Sequence, residues 1–221
     1  MTGNNALLIM AKRPTPGRTK TRLVPPLSPQ QAAALYECFL RDTIELVRQV
    51  PGVRPVIAYV PPGEQAYFAE LAPDFEYYQQ EGPDLGARLD NGLTHYLGLG
   101  YRQVAAINSD GPTLPPAYLA AAFEEPGRKA DVVLGPSDDG GYYLIGLKHP
   151  APRLLREVRM STPHVTTDTL ALAAEEGLKV ALLPAWYDVD DAQSLARLQA
   201  ELATAPPEVA PQTQAFLREH Q

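Results

Sequence analysis

Seven short apolar runs, most of them separated by segments of helical period, leave few folds open to this chain. Ala6 to Ala11 (ALLIMA) is continuously apolar, the pattern of a strand covered on both faces. Further runs follow at Pro55 to Val60, Phe75 to Tyr78, Val104 to Asn108, Val132 to Gly135, Tyr142 to Leu147 and Val180 to Leu183. Between many of them lie helical patterns, near 63–71, 84–97 (Leu85, Leu89, Leu93, Leu97), 114–124, 166–176 and 191–203. The best-marked helix opens at Ser28-Pro29-Gln30-Gln31, with a capping serine, proline at the first helical position and glutamine at the third, and continues through Leu35, Phe39, Leu40, Ile44 and Val47. Such alternation predicts right-handed βαβ units, a mostly parallel sheet and helices on both faces. The expected organisation is one α/β domain over residues 1–203, followed by a tail over 204–221 with Pro206, Pro207, Pro211 and one helical turn at most.

A chain of 221 residues is long enough for one sizeable core. No stretch approaches the roughly 18 apolar residues of a membrane span, and Met1 to Asn5 carries no basic segment of the kind that opens a signal peptide, so the cytoplasm is the expected compartment. The lone Cys38 sits among Leu35, Phe39 and Leu40 and reads as helix packing. A net charge of −7 argues against a nucleic-acid surface, which needs a broad basic footprint. The cations are nonetheless concentrated: residues 1–22 hold Lys12, Arg13, Arg18, Lys20 and Arg22 and no acid, a local +5 that leaves −12 for the rest.

Ligands of open α/β sheets bind beyond the carboxyl ends of the strands, and four segments there carry chemistry. AKRPTPGRTKTRL at 11–23 surrounds Gly17 with cations and suits a phosphate chain, although it is neither a Walker A loop nor a Gly-x-Gly-x-x-Gly loop; a solvated basic loop is the plain alternative. Asp110, in Ser109-Asp110-Gly111-Pro112, is placed as a Mg²⁺ ligand or as the acid of an Asx-turn or helix cap. In Asp188-Val189-Asp190-Asp191, alternation sends Asp188 and Asp190 to one side if the segment is extended, and leaves Asp191 as a helix cap. Finally, Asp138 and Asp139 precede Gly140, Gly141, Tyr142 and Tyr143, more polar groups than a β-turn requires.

The motifs AKxPxPGRxKTRL at 11–23, GxDLGxRL at 82–89, NSDGPTL at 108–114, GPSDDGGYYLIGL at 135–147, STPxV at 161–165 and DVDD at 188–191, in this order, resemble the bacterial DUF2064 family of transferases. That family lies in the nucleotide-diphospho-sugar transferase superfamily. Its members are commonly described as glycosyltransferases, one branch being associated with arsenosugar biosynthesis. The early KTRL segment is also similar to that of phospholactate guanylyltransferases. The resemblance implies a single-domain GT-A-like three-layer α/β/α sandwich, a nucleotide or nucleotide-sugar donor, a small-molecule acceptor and Mg²⁺ or Mn²⁺. Carried over residue by residue, it implies that Lys12, Arg13, Gly17, Lys20 and Arg22 line a phosphate loop and that Asp84 and Arg88 lie near base or ribose. Asp110 and Asp190 become metal ligands, Asp110, Lys20 and Asp139 the catalytic group, and Asp138, Asp139, Gly140, Gly141 and Tyr142 the acceptor segment. Two positions depart from the family pattern: Asn108 replaces a more usual Gly, and Gly111 a Cys or Thr, a reduction expected to widen the pocket. Among the histidines, His164 between Thr162 and Thr166 is the candidate acceptor contact.

Glycosyl transfer is therefore the leading expectation. Nucleotidyl transfer from a nucleoside triphosphate to a phosphorylated small molecule is the alternative, because five cations exceed what a metal-bound diphosphate requires. A non-catalytic nucleotide-binding protein would have no folding reason to cluster Asp110 and Asp190.

Overall fold

In the computed structural model, residues 4–124 and 129–220 are described; Met1 to Gly3, where no signal peptide is expected, and Gln221 of the expected tail lie outside them. The first apolar run forms β1 (Asn5–Lys12), and its side chains alternate between two cores. Leu7, Ile9 and Ala11 face one cluster, while Ala6 and Leu8 face the other. This double burial is why the run lacks polar alternation.

The chain continues through α1 (Pro29–Arg48), β2 (Val53–Val60), α2 (Gln65–Leu71), β3 (Glu76–Gln79), α3 (Leu85–Gly98), β4 (Gln103–Ile107) and α4 (Pro116–Ala121). It then forms β5 (Val132–Pro136), β6 (Tyr142–Leu147), α5 (Pro152–Arg156), α6 (Val165–Glu175), β7 (Val180–Leu182), α7 (Ala192–Leu202) and α8 (Pro211–Glu219). The sheet order is β3-β2-β1-β4-β6-β5-β7. All neighbours pair in parallel except β6, which runs antiparallel to both β4 and β5. The reversal matters for function: pairing Ile107 with Leu144 brings the amino end of β6, Gly141-Tyr142, to the edge where the parallel strands end.

Residues of α1, α2 and α4 pack into the cluster holding Leu40, Ile44, Phe68 and Leu119, and residues of α3, α5 and α6 into that holding Leu89, Leu93, Leu154, Leu155 and Ala173. A third cluster joins the amino-terminal half of α1 (Leu35, Phe39) to Leu23, α7 and α8. The layers match the expected three-layer sandwich, and the capping box of Ser28 and Gln31 forms as expected.

Three local expectations are corrected. The helix expected over 114–124 is confined to Pro116–Ala121, because Pro115 and Pro116 set its start. Helix α5 was absent from the sequence pattern, since five residues are too few to show a period. The expected tail contains a full helix, α8, which packs on α1 and buries Phe216 and Leu217. Its first amides are capped from a distance: Asp42 of α1 accepts from Gln212 N at 3.0 Å, Thr213 N at 2.9 Å and Thr213 Oγ1 at 2.6 Å.

Candidate active site

The loop leaving β1 is a closed coil that leaves Lys12, Arg18 and Arg22 exposed and buries Thr19 and the Lys20 side chain. Arg13 N donates to Val60 O at 2.8 Å, and the amides of Arg18 and Thr19 both donate to Thr15 O. Gly17 turns the coil at φ 73°, and Lys12 Nζ donates to Arg18 O at 2.7 Å. Lys20 then adopts the left-handed conformation (φ 49°, ψ 43°), which costs a residue with a Cβ roughly 1–2 kcal/mol. The turn that follows, Thr21–Leu23, buries Leu23 in the third cluster and so sends the Lys20 side chain inward.

Inside, the Lys20 ammonium lies 2.5 Å from Asp110 Oδ1 and 2.7 Å from Asp190 Oδ1, with only 6% of its side chain exposed. Arg22 reaches the other oxygen of Asp190 at 2.7 Å. Burial opposes the Lys20 charge, but the two carboxylates outweigh it and its pKa is raised. The rings of Tyr36 and Phe39 lie 5.9 and 5.8 Å from the ammonium and form a wall beneath it. Asp110 caps no helix, since α4 begins after Pro115 without a side-chain cap. Its carboxylate is aimed at Lys20, and its carbonyl accepts from Val189 N at 2.9 Å, which ties the end of β4 to the segment before α7.

Asp188 lies deeper. It accepts from Asn108 Nδ2 at 2.9 Å and Ser137 Oγ at 3.1 Å. Desolvation, followed by the neighbouring charge of Asp110, pushes its carboxyl up to about 7. Asp191 caps α7 through Ser194 N, as expected from the sequence. Among the described residues no group of three or more His, Cys, Asp or Glu side chains is arranged to hold a metal ion. Asp110 and Asp190 fit a hard cation that takes its remaining ligands from phosphate oxygens and water, the usual habit of Mg²⁺.

Two clefts meet at these acids. One, of about 350 Å³, is lined by Lys12, Arg18, Lys20, Arg22 and Arg88 together with Gln80, Tyr36 and Ser109. The other, of about 480 Å³, is lined by Asn108, Asp139, Gly141, Tyr142, Met160, Pro163 and Asp188. Arg22, Leu85, Asp110 and Asp190 belong to both. The wall of the second cleft depends on Gly140, whose φ is 87° and whose missing Cβ would lie 2.0 Å from Pro163 O. Thr166 N donates to Gly140 O at 3.0 Å and Thr166 Oγ1 to Gly141 O at 2.5 Å, closing residues 161–166 onto the sheet.

Most of the residues singled out from sequence converge here, with exceptions. Arg13 pairs with Glu64 and lies over the Tyr67 ring, and it lines neither cleft. The Asp84 carboxylate caps α3 by accepting from Ala87 N at 2.8 Å, whereas Arg88 lines the first cleft and donates to Gly82 O. Asp138 is held by Arg197 at 2.6 Å in a neighbouring recess, while Asp139 lines both that recess and the second cleft. Gly111 does not widen a pocket: a Cβ there would lie 3.0 Å from Tyr187 O, so the glycine permits two loops to touch. His164 stands exposed at the start of α6, outside both clefts.

Tyr36 is not singled out by the sequence, whereas Arg18, Ser109 and Ser137 lie within the segments that it marks. The Tyr36 hydroxyl accepts from Lys12 N at 3.1 Å and bonds Ser109 Oγ at 2.8 Å, while burial pushes its pKa up to about 12.

The fold is that of the nucleotide-diphospho-sugar transferases, a class of transferases. The chain belongs to the DUF2064 family, described as uncharacterized proteins conserved in bacteria, whose model matches residues 43–162. A crystal structure from Desulfovibrio desulfuricans, described as a candidate nucleotide-diphospho-sugar transferase, matches with a TM-score of 0.91 and 29% identity over 99% of this chain and 95% of that one. More distant matches of fold are a cytidylyltransferase from Leptospira borgpetersenii (TM-score 0.58, 12% identity, 99% of this chain and 95% of that one) and Rv0371c from Mycobacterium tuberculosis in complex with manganese (0.56, 14%, 90% and 98%). A search of curated proteins returns no match.

Proposed function

We propose that this protein is a divalent-metal-dependent transferase that takes a nucleotide-activated donor and moves its glycosyl group to a small acceptor. The observation that carries the reading is the buried Lys20 ammonium between Asp110 and Asp190, at the seam of a basic cleft and a second, acid-lined cleft. In the working complex Asp110 and Asp190 would hold Mg²⁺ or Mn²⁺, which supplies positive charge to a departing diphosphate. A manganese complex of a protein with the same fold supports the choice of metal.

The chain's own residues do the rest. Lys20 and Arg22, relieved of their carboxylates, face the donor phosphates, and Lys12, Arg18 and Arg88 line the path toward the nucleoside. Charge-assisted hydrogen bonds from such groups strengthen as negative charge gathers on the leaving oxygen. Asp139 and the Gly141-Tyr142 edge face the acceptor. No covalent nucleophile is required. On this reading the protein works in the cytoplasm and binds no nucleic acid. Among the described residues no helix is long and apolar enough to cross a membrane.

Five cations along the first cleft favour a second reading, nucleotidyl transfer from a triphosphate. Thermal shift with a panel of nucleotides and nucleotide-sugars should show stabilisation only when Mg²⁺ or Mn²⁺ is present; a ligand at about 100 times its Kd stabilises by roughly 2.7 kcal/mol. If no nucleotide moves the melting curve with metal present, the reading is wrong. Product analysis separates the two chemistries: nucleoside diphosphate without pyrophosphate marks glycosyl transfer, and pyrophosphate from a triphosphate marks the second reading.

A further inference from the structure

The two clefts that meet at Asp110 and Asp190 carry opposite charge. Among the described residues, the first is lined by five cations, and its only carboxylates are the two shared acids. The second presents Asp110, Asp139, Asp188 and Asp190 against a single cation, Arg22, already paired with Asp190 at 2.7 Å. Metal and donor phosphates would compensate the two shared acids. Asp139 and Asp188 would then be the uncompensated acids facing the second substrate.

These two acids differ. Asp188 has both oxygens engaged by protein donors. Asp139 is exposed, and among the described residues only its Oδ1 is engaged, by Gly141 N at 2.9 Å. Its other oxygen can accept from a ligand. The rest of that cleft combines an apolar face, formed by Leu85, Tyr142, Met160, Pro163 and Val165, with the polar side chains of Asn108, Ser161 and Thr162. A phosphate or carboxylate placed there would face the like charge of Asp139, and the one cation of the described lining, Arg22, is shared with the donor cleft, where it faces the donor phosphates.

Resting on the transferase reading above, we propose that the second substrate is a neutral or cationic alcohol with an apolar face, anchored by Asp139, and not a phosphorylated or carboxylated molecule. The charge pattern thus sets the specificity: the basic cleft draws the anionic donor, and the acidic cleft refuses a second anion.

The test compares each alcohol with its own phosphate ester: glycerol, methyl glucoside and choline against glycerol phosphate, methyl glucoside phosphate and phosphocholine. Binding is read by saturation-transfer NMR on the full chain, with Mn²⁺ replaced by diamagnetic Mg²⁺ and with whichever nucleoside diphosphate stabilises the protein. At least one alcohol should bind about tenfold or more tightly than its ester, as like-charge exclusion demands. Asp139→Asn should weaken the alcohol, and Asp139→Lys should invert the preference within that pair. Tighter binding of the esters by the parent protein, equal binding, or no binding of either class overturns the proposal even if both variants fail to fold. Absence of any metal-dependent nucleotide stabilisation would instead remove the transferase reading, and this inference with it.

Discussion

Lys20 carries a penalty that its neighbours must offset. A left-handed backbone and a buried ammonium are both unfavourable, and both persist because two carboxylates hold the charge. On the proposed reading, the ammonium occupies the position between the acids that a metal would take. It follows that Lys20→Met should bind Mn²⁺ more tightly in the absence of nucleotide, by about tenfold, the worth of a charge-assisted hydrogen bond of ~1.5 kcal/mol. The same variant should bind nucleotide more weakly. Counting free Mn²⁺ by electron paramagnetic resonance checks the first effect, and unchanged affinity would mean that the acids are not the metal site. Asp188 offers a test through pH. Its folded-state pKa is raised from 3.8 to about 7, so the folded state holds the proton more tightly than the unfolded one, and this group's contribution to stability declines as pH rises from about 4 to about 7. In metal-free protein, Asp188→Asn should flatten the fall of Tm over that window relative to the parent. An unchanged slope would show that Asp188 ionises as an ordinary carboxylate.

At the scale of elements, α8 shows how a helix can be fixed from far along the chain. Pro211 suits the first helical position, but Ala210 before it supplies no cap and sits in a left-handed conformation. The cap comes from Asp42, 170 residues away, through three hydrogen bonds. Burial raises the Asp42 pKa, and the same three donors oppose that shift by stabilising the carboxylate. Asp42→Ala would leave two amides and a hydroxyl without their acceptor and should cost about 2 kcal/mol, at the upper end for a lost helix cap. Urea unfolding measures the loss, and limited proteolysis should cut first between α7 and α8. If the midpoint is unmoved and that connection remains resistant, α8 is held by Phe216 and Leu217 alone.

For the molecule as a whole, the strands and most helices were legible because burial on both faces and amphipathic periodicity are written locally in residue order. The caps of α1 and α7 were legible for the same reason, since Ser28 with Gln31 and Asp191 with Ser194 lie within one turn of each other. The basic loop and the acids at 110, 138, 139, 188 and 190 could likewise be placed at the ends of strands from sequence. Their pairing could not. Lys20 meets Asp190 across 170 positions and Asn108 meets Asp188 across 80, contacts set by the strand order and by the reversal of β6. The same packing withdrew Arg13 toward Glu64, turned Asp84 into a cap and gave Gly111 a loop to touch instead of a pocket to widen. Residue type and local spacing determined which groups could do chemistry at this edge. Only the tertiary structure decided which of them face one another, because the charges are compensated across loops that sequence order keeps apart.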